Sequence, residues 1–231
     1  NLPRASDLDM LPAWLGIESP GSDADPDAVP WAEVAEAVRR RRTLDLVDRG
    51  QLLGLAVAQV PDAVAPGVGD EQLRARGALA PAQTPLVVPT GPASERRTEP
   101  VGLVVDLSSL WAGPSCGRFL AELGLRVVKV ESTSRPDGAR RGSPAFFRRL
   151  NAGKEQLPLP LATDEGQAEL RALLATADVV IEGSRPRALT HMGIHPADVL
   201  ARRPGAVWVA ITAYGRTGPW CQRVGFGDDT A

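Results

Sequence analysis

Four short apolar runs set the rhythm of the second half of the chain: VGLVV from Val101, RVVKV from Arg126, ADVVI from Ala177 and AVWVAI from Ala206. They are rich in β-branched residues, alternate with stretches of helical spacing, and resemble strands that a parallel sheet buries on both faces. The pattern predicts an α/β fold with a doubly wound, mostly parallel, Rossmann-like sheet. Between the second and third runs, Leu157-Pro-Leu-Pro-Leu161 carries two prolines. These exclude a central ladder strand and predict an edge or extended segment. The helix before the third run is expected to begin at a cap on Thr163 or Asp164, with Glu165 in its first turn and Leu170, Leu173 and Leu174 toward the core.

The first part of the chain reads differently. Trp31, Val34 and Val38 fall on one helical face, and Thr43 can cap a second helix running to Leu53 before Gly54. A short strand is predicted at Leu55–Val60. Pro81 to Pro100 is rich in Pro, Ala, Thr and charge, with a brief apolar Leu86-Val87-Val88, and reads as a surface linker. Three parts follow: residues 1–80, a helical segment with a short strand; residues 81–100, a linker; and residues 101–231, the α/β domain.

Composition narrows the field. With 26 basic and 28 acidic residues the net charge is −2, which provides neither a basic field for nucleic acid nor an acidic tail. No apolar run approaches the roughly 18 residues of a membrane span. Cys116 and Cys221 are too few and too distant for a secreted disulfide framework, so a reducing, cytoplasmic setting is expected. The chain begins at Asn1 and ends at Ala231 after an acidic turn, which suggests a piece of a longer polypeptide.

Ligands of doubly wound sheets bind outside the carboxyl ends of the strands, so the turns after the four runs are the candidates for chemistry. After the first comes Asp106-Leu-Ser-Ser-Leu-Trp-Ala-Gly-Pro114. Its Gly113 and Pro114 open a helix whose N–H groups could face a phosphate or thioester oxygen, or form a plain strand-to-helix turn. Neither of the glycine-rich phosphate fingerprints, G-x-G-x-x-G or G-x-x-x-x-G-K-[ST], is present, which argues against an ordinary dinucleotide or P-loop enzyme. After the second, Glu131 precedes a loop with Arg135, Arg140 and Arg141. Their guanidinium groups suit phosphate, or pair with nearby carboxylates. Lys154, in Asn151-Ala-Gly-Lys154, could reach a ligand or be exposed. His191 and His195 stand four apart, but Pro196 and the Met-Gly-Ile turn break the helix that a shared metal would need, and no metal is expected. The last run delivers Tyr214-Gly-Arg-Thr-Gly-Pro219 and Gly225-Phe-Gly-Asp-Asp229. Such glycine density implies close backbone approach or tight turns, and the two acids read as solvated.

The strings LWAGP, KVES, NAGK, IEGSRPRAL and ITAYGRTGP, in this order from Leu110 to Pro219, resemble the family III CoA-transferases. That family moves coenzyme A between carboxylic acids. The resemblance implies an acyl-CoA and a small carboxylic acid as substrates, CoA as the carrier, and an interlocked homodimer. It also implies an aspartate nucleophile that forms acyl anhydride and CoA thioester intermediates. That motif falls beyond the region matching Gly225 to Ala231, and neither Asp228 nor Asp229 matches it, so the nucleophile is expected outside this chain. The racemase branch uses a His-Asp pair where this chain has Phe226 and Gly227, so racemase chemistry is not expected.

Matching the formyl-CoA transferase pattern without gaps assigns CoA contacts to particular positions. Leu110 and Trp111 fall at the thiol end, beside the Ala-Gly-Pro turn. Ser132 stands where that pattern has an adenine-side arginine, and Leu159 matches an apolar adenine contact. Ala162 replaces a phosphate-reaching lysine, Gly183 and Ser184 replace an Asn-Phe pair, His191 replaces an arginine, and Phe226 matches an active-site tyrosine. With the charged positions altered, Arg135, Arg140 and Arg185 are the alternative grips. Thr43 to Gly77 resembles the family's C-terminal part, here placed ahead of the N-terminal domain, which implies a permuted or tandem order. The alternative to an enzyme is a non-catalytic half that gives an active partner an interlocking surface.

Overall fold

The computed structural model describes residues 2, 5–18, 29–59 and 102–227. The predicted linker at 81–100, Val60, the segment up to Gly77, and Asp228 and Asp229 lie outside them. The chain divides into two compact units, Asn1–Leu86 with Ala213–Ala231, and Val87–Thr212. Among the described residues no helix is long and apolar enough to cross a membrane.

The first unit contains α1 (Ala5–Leu8), α2 (Leu11–Leu15), α3 (Trp31–Arg39) and α4 (Thr43–Leu52). Leu8, Leu11, Leu15, Val34 and Leu46 form its core, with Val38 packed at the margin. Trp31 shares their helical spacing but stands at the first position of α3, where it is 47% exposed. Thr43 is the first helical residue of α4 rather than its cap, since Arg42 takes the extended capping position without a side-chain bond. Residues 55–59 form no strand. Leu55 and Ala56 are buried, and the Val57 carbonyl accepts from the Gln51 side chain (2.6 Å) instead of a ladder partner. In the same unit Trp220 meets Tyr214 edge-on at 5.6 Å.

The second unit is an α/β layer structure. Its elements are β1 (Leu103–Asp106), α5 (Ala112–Glu122), β2 (Arg126–Ser132), a 3-10 turn (Gly138–Arg140), α6 (Pro144–Leu150), β3 (Glu155–Leu159), α7 (Asp164–Thr176), β4 (Val179–Glu182), α8 (Pro186–His191), α9 (Pro196–Arg202) and β5 (Val207–Ala210). The five strands are all parallel, in the order β3-β2-β1-β4-β5. As its prolines predict, Leu157–Leu159 lies in the edge strand β3.

Strand alternation explains the two layers. Val105, Val128, Val130 and Val180 point to one face, where Leu170 and Leu174 of α7 and Leu189 of α8 cover them. Val104, Val127 and Ile181 point to the other, against Cys116 and Leu120 of α5. Thr163 caps α7 by accepting from the Gly166 N–H at 3.2 Å. The amino end of the sheet is clamped by Asp178, whose carboxylate accepts from the N–H groups of Gly102 (2.7 Å) and Leu103 (2.9 Å) and from Arg203. The chain travels outward from β1 through β2 to β3, then returns to lay β4 and β5 on the opposite side of β1. The strand order therefore reverses between β1 and β4.

Candidate functional site

The carboxyl ends of β1 and β2 carry charges that their apolar sequences do not advertise. Asp106 closes β1 and is fully buried. One of its oxygens accepts from the backbone N–H (3.0 Å) and the hydroxyl of Ser108. The other accepts from Lys154 at 2.8 Å. The Lys154 ammonium also donates to the Pro114 carbonyl (2.8 Å) and to Asn151 Oδ1 (3.1 Å), so each of its three protons has an acceptor. Burial draws the Lys154 ammonium below its ordinary pKa, against the opposing pull of the Asp106 charge. Lys154 is thus neither exposed nor free to reach a ligand. It bolts the turn before β3 to the first turn of α5.

A second buried pair lies beside the first. Lys129, in the middle of β2, donates to Asp137 (3.1 Å) and to the Ser108 carbonyl, and both charged side chains are completely enclosed. Asp137 Oδ1 accepts from the N–H of Ala139 (3.0 Å), capping the 3-10 turn, and from the N–H of Leu110 (3.0 Å). Leu110 has a positive φ of 69°. Trp111 follows, 68% exposed, with its ring 5.3 Å from that of Phe146.

The loop after β2 is organised by Glu131. It accepts two hydrogen bonds from Arg140 (2.7 and 2.9 Å) and one from the Asp137 N–H (2.9 Å). Burial alone would raise the Glu131 pKa, but the Arg140 hydrogen bonds, the Asp137 N–H and the charges of Arg140 and Lys129 outweigh it and hold the carboxyl below its ordinary range. The Arg140 guanidinium also stacks on Phe147 at 4.1 Å. Beside it opens a cleft of about 450 Å³ lined by Ser132, Pro136, Arg140, Gln156 and Pro158, among others. Arg135 is exposed and has no ion-pair partner among the described residues. After β4, Glu182 is buried and accepts from the Ser184 N–H (3.0 Å) and hydroxyl (2.7 Å), which shapes the Gly183-Ser184 turn.

The predicted contacts separate into groups. Leu110, Trp111, Ser132, Arg135, Arg140, Gly183, Ser184 and Arg185 all lie in or beside the loops at the carboxyl ends of β1, β2 and β4, which are neighbours in the sheet. Leu159 does not join them through its side chain. It is 2% exposed within the main core, and its carbonyl is engaged by the Thr133 N–H (2.9 Å). His191 ends α8 and is exposed, whereas His195 caps α9, so the two histidines belong to different helices. Phe226 and Gly215 belong to the other unit. Cys116 is half-buried on α5, and its thiol is pushed up in pKa by burial and by the Asp106 charge. Sequence reading missed Asp106, Lys129 and Asp137. A lysine within a β-branched run is a usable signal, because a buried ammonium requires a partner.

The architecture is that of a doubly wound parallel α/β domain, and the loops after β1, β2 and β4 stand on neighbouring strands at its point of strand reversal. Residues 102–230 match CoA-transferase family III, and the chain belongs to that family. It is 33% identical over 131 residues to the succinyl-CoA–D-citramalate CoA-transferase of Chloroflexus aurantiacus, covering 54% of this chain and 33% of that protein. It is 31% identical over 130 residues to human succinyl-CoA:glutarate CoA-transferase, covering 53% and 30%. Among solved structures it is similar to a CAIB/BAIF family protein from Brucella suis, with a TM-score of 0.50 and 34% identity over 54% of this chain and 36% of that one. The chain spans about a third of the length of the curated relatives it matches.

Proposed function

We propose that this chain forms the CoA-holding part of an enzyme that transfers CoA from an acyl-CoA to a small carboxylic acid. The chemistry runs through an aspartyl carboxylate supplied outside residues 1–231. That carboxylate attacks the thioester carbonyl, forming a C–O bond as the C–S bond breaks, and the CoA thiolate leaves. The thiolate then attacks the aspartyl carbonyl of the mixed anhydride, which releases the first acid and leaves an aspartyl-CoA thioester. The second acid repeats the sequence in reverse and departs as its CoA thioester. Within this chain the roles are to bind and orient CoA: Leu110 and Trp111 at the thiol end, Ser132, Arg135, Arg140 and Arg185 toward the phosphates and adenine, and Gly183-Ser184 as close backbone between them.

The observation that carries this reading is the gathering of the loops after β1, β2 and β4 on adjacent strands within a family III domain. The proposed assembly is a cytoplasmic homodimer, with residues 1–80 as the counterpart of the family's C-terminal part. Calorimetric titration of the full chain with CoA and acetyl-CoA tests it. Saturable heat with both ligands is expected, and no heat at millimolar ligand removes the reading.

A second reading is favoured by the internal commitment of Arg140 to Glu131 and of Lys154 to Asp106. In it the chain is a non-catalytic half that supplies surface to an active partner. The same titration separates the two, since this half binds no CoA.

A further inference from the structure

Leu110 is the one non-glycine residue with positive φ among the described residues, at 69°. The left-handed region crowds any residue with a β-carbon, and a leucine remains there only where its surroundings hold it. The hold here is a single buried carboxylate. Asp137 Oδ1 accepts from the Leu110 N–H and from the Ala139 N–H, each at 3.0 Å. Its Oδ2 takes the Lys129 ammonium at 3.1 Å, and its own N–H donates to Glu131 at 2.9 Å. Lys129 also donates to the Ser108 carbonyl, two residues before Leu110. The loop after β1 is therefore tied at Ser108 to strand β2 and at Leu110 to the loop after it. The two loops also approach at Gly138, where an added β-carbon would lie 3.3 Å from the Leu110 side chain.

We infer that Asp137 is a positioning residue: it fixes the Leu110–Trp111 corner and the turn carrying Arg140 as one preformed wall for the thioester carrier. Its side chain and that of Lys129 are fully enclosed, so neither touches a ligand, and their effect passes through the backbone. The result is visible at Trp111, a large aromatic kept 68% exposed beside Phe146 instead of collapsing onto the sheet. A wall already in its bound shape spares the ordering cost of binding. The consequence for affinity rests on CoA being the ligand; the backbone lock does not.

The test uses the full chain labelled with 5-fluorotryptophan, in which the fluorine resonance of Trp111 is assigned by its loss in Trp111→Phe. In Lys129→Met/Asp137→Asn both buried charges go but an oxygen remains for the Leu110 N–H. The Trp111 line should keep its position, and the Kd for CoA should stay within about threefold. In Lys129→Met/Asp137→Leu that oxygen is gone. The Trp111 line should move or broaden while the other tryptophan lines hold, and the Kd should rise about tenfold or more. An unmoved Trp111 line in folded Lys129→Met/Asp137→Leu overturns the inference, and so does a moved line with unchanged CoA affinity. Should that variant not fold, Leu110→Val and Leu110→Gly decide: valine, which resists positive φ, should displace the line, and glycine should not. A line indifferent to both also overturns it. If the unaltered chain binds no CoA, the proposed function falls, and the fluorine spectra alone still decide whether Asp137 sets the corner.

Discussion

The backbone of Gly113 lies directly against the side chain of Ser108: a β-carbon added at Gly113 would fall 2.0 Å from the Ser108 hydroxyl oxygen and 2.1 Å from its Cβ. Ser108 cannot swing aside, because its N–H and hydroxyl are both bound to buried Asp106. The glycine in the first turn of α5 is thus set by packing, independent of any phosphate-binding role. Gly113→Ala is expected to destabilise the α/β unit by about 1–3 kcal/mol, the usual cost of overpacking. Adding Ser108→Gly should recover part of the loss. Urea denaturation followed by circular dichroism checks both, and a G113A protein as stable as the parent would refute the contact.

Lys154 and Asp106 form an ion pair with no solvent access. Removing one partner leaves the other charge buried without compensation, which typically costs about 3–5 kcal/mol. Lys154→Met is therefore expected to destabilise the protein by roughly that amount. The double variant Lys154→Met/Asp106→Asn should be more stable than Lys154→Met alone, because asparagine keeps an oxygen for the Ser108 groups and carries no charge. Equal denaturation midpoints for the two would mean that the pair is not electrostatically coupled.

These buried charges also show where sequence reading stops. The parallel sheet was legible because its signals are local: β-branched runs mark strands buried on both faces, two prolines confine Leu157–Leu159 to an edge, and Thr163 caps α7 within one turn. The site was legible only as loops. Lys154 reads as a surface lysine because its partner, Asp106, lies 48 residues earlier and meets it only after β1 and β3 join one sheet. Leu159, matched to a ligand contact by position, is claimed by the core because strand alternation turns it inward. The extended run at Leu55 has the composition of a strand, but composition cannot provide a neighbouring strand, and among the described residues Leu55 and Ala56 are buried outside any sheet.

Arg135 and Arg140 share a loop and one residue type, yet their surroundings assign them different tasks. Arg140 is held by Glu131 and stacked on Phe147, whereas Arg135 is exposed. Arg135→Ala should leave the denaturation midpoint unchanged and weaken CoA binding about threefold to tenfold, with the difference shrinking as salt is raised. Arg140→Ala should lower the midpoint as well. Titrations at two ionic strengths, paired with melts, separate these outcomes. Equal effects of the two substitutions on stability would contradict the assignment.

The Glu131–Arg140 contact should make stability depend on acid in a defined direction. The Glu131 carboxyl is held below its ordinary pKa of about 4.3, so between the folded value and about 4.3 the unfolded chain binds more protons and stability rises with pH. The contribution is complete above about pH 5 and is lost as pH falls through the folded value. Its size is about 1 kcal/mol, less than a fully buried charged hydrogen bond supplies, because the Arg140 side chain is 44% exposed and water screens it. Glu131→Gln keeps an oxygen for the Asp137 N–H but removes the titrating charge. At pH 7 the variant should be less stable than the parent by that amount, and the gap should close as pH falls through the folded value. Urea midpoints of both proteins across this range measure the gap. A difference that stays constant with pH would show that the loss in Glu131→Gln comes from packing, and that the carboxylate charge contributes nothing to holding the loop after β2.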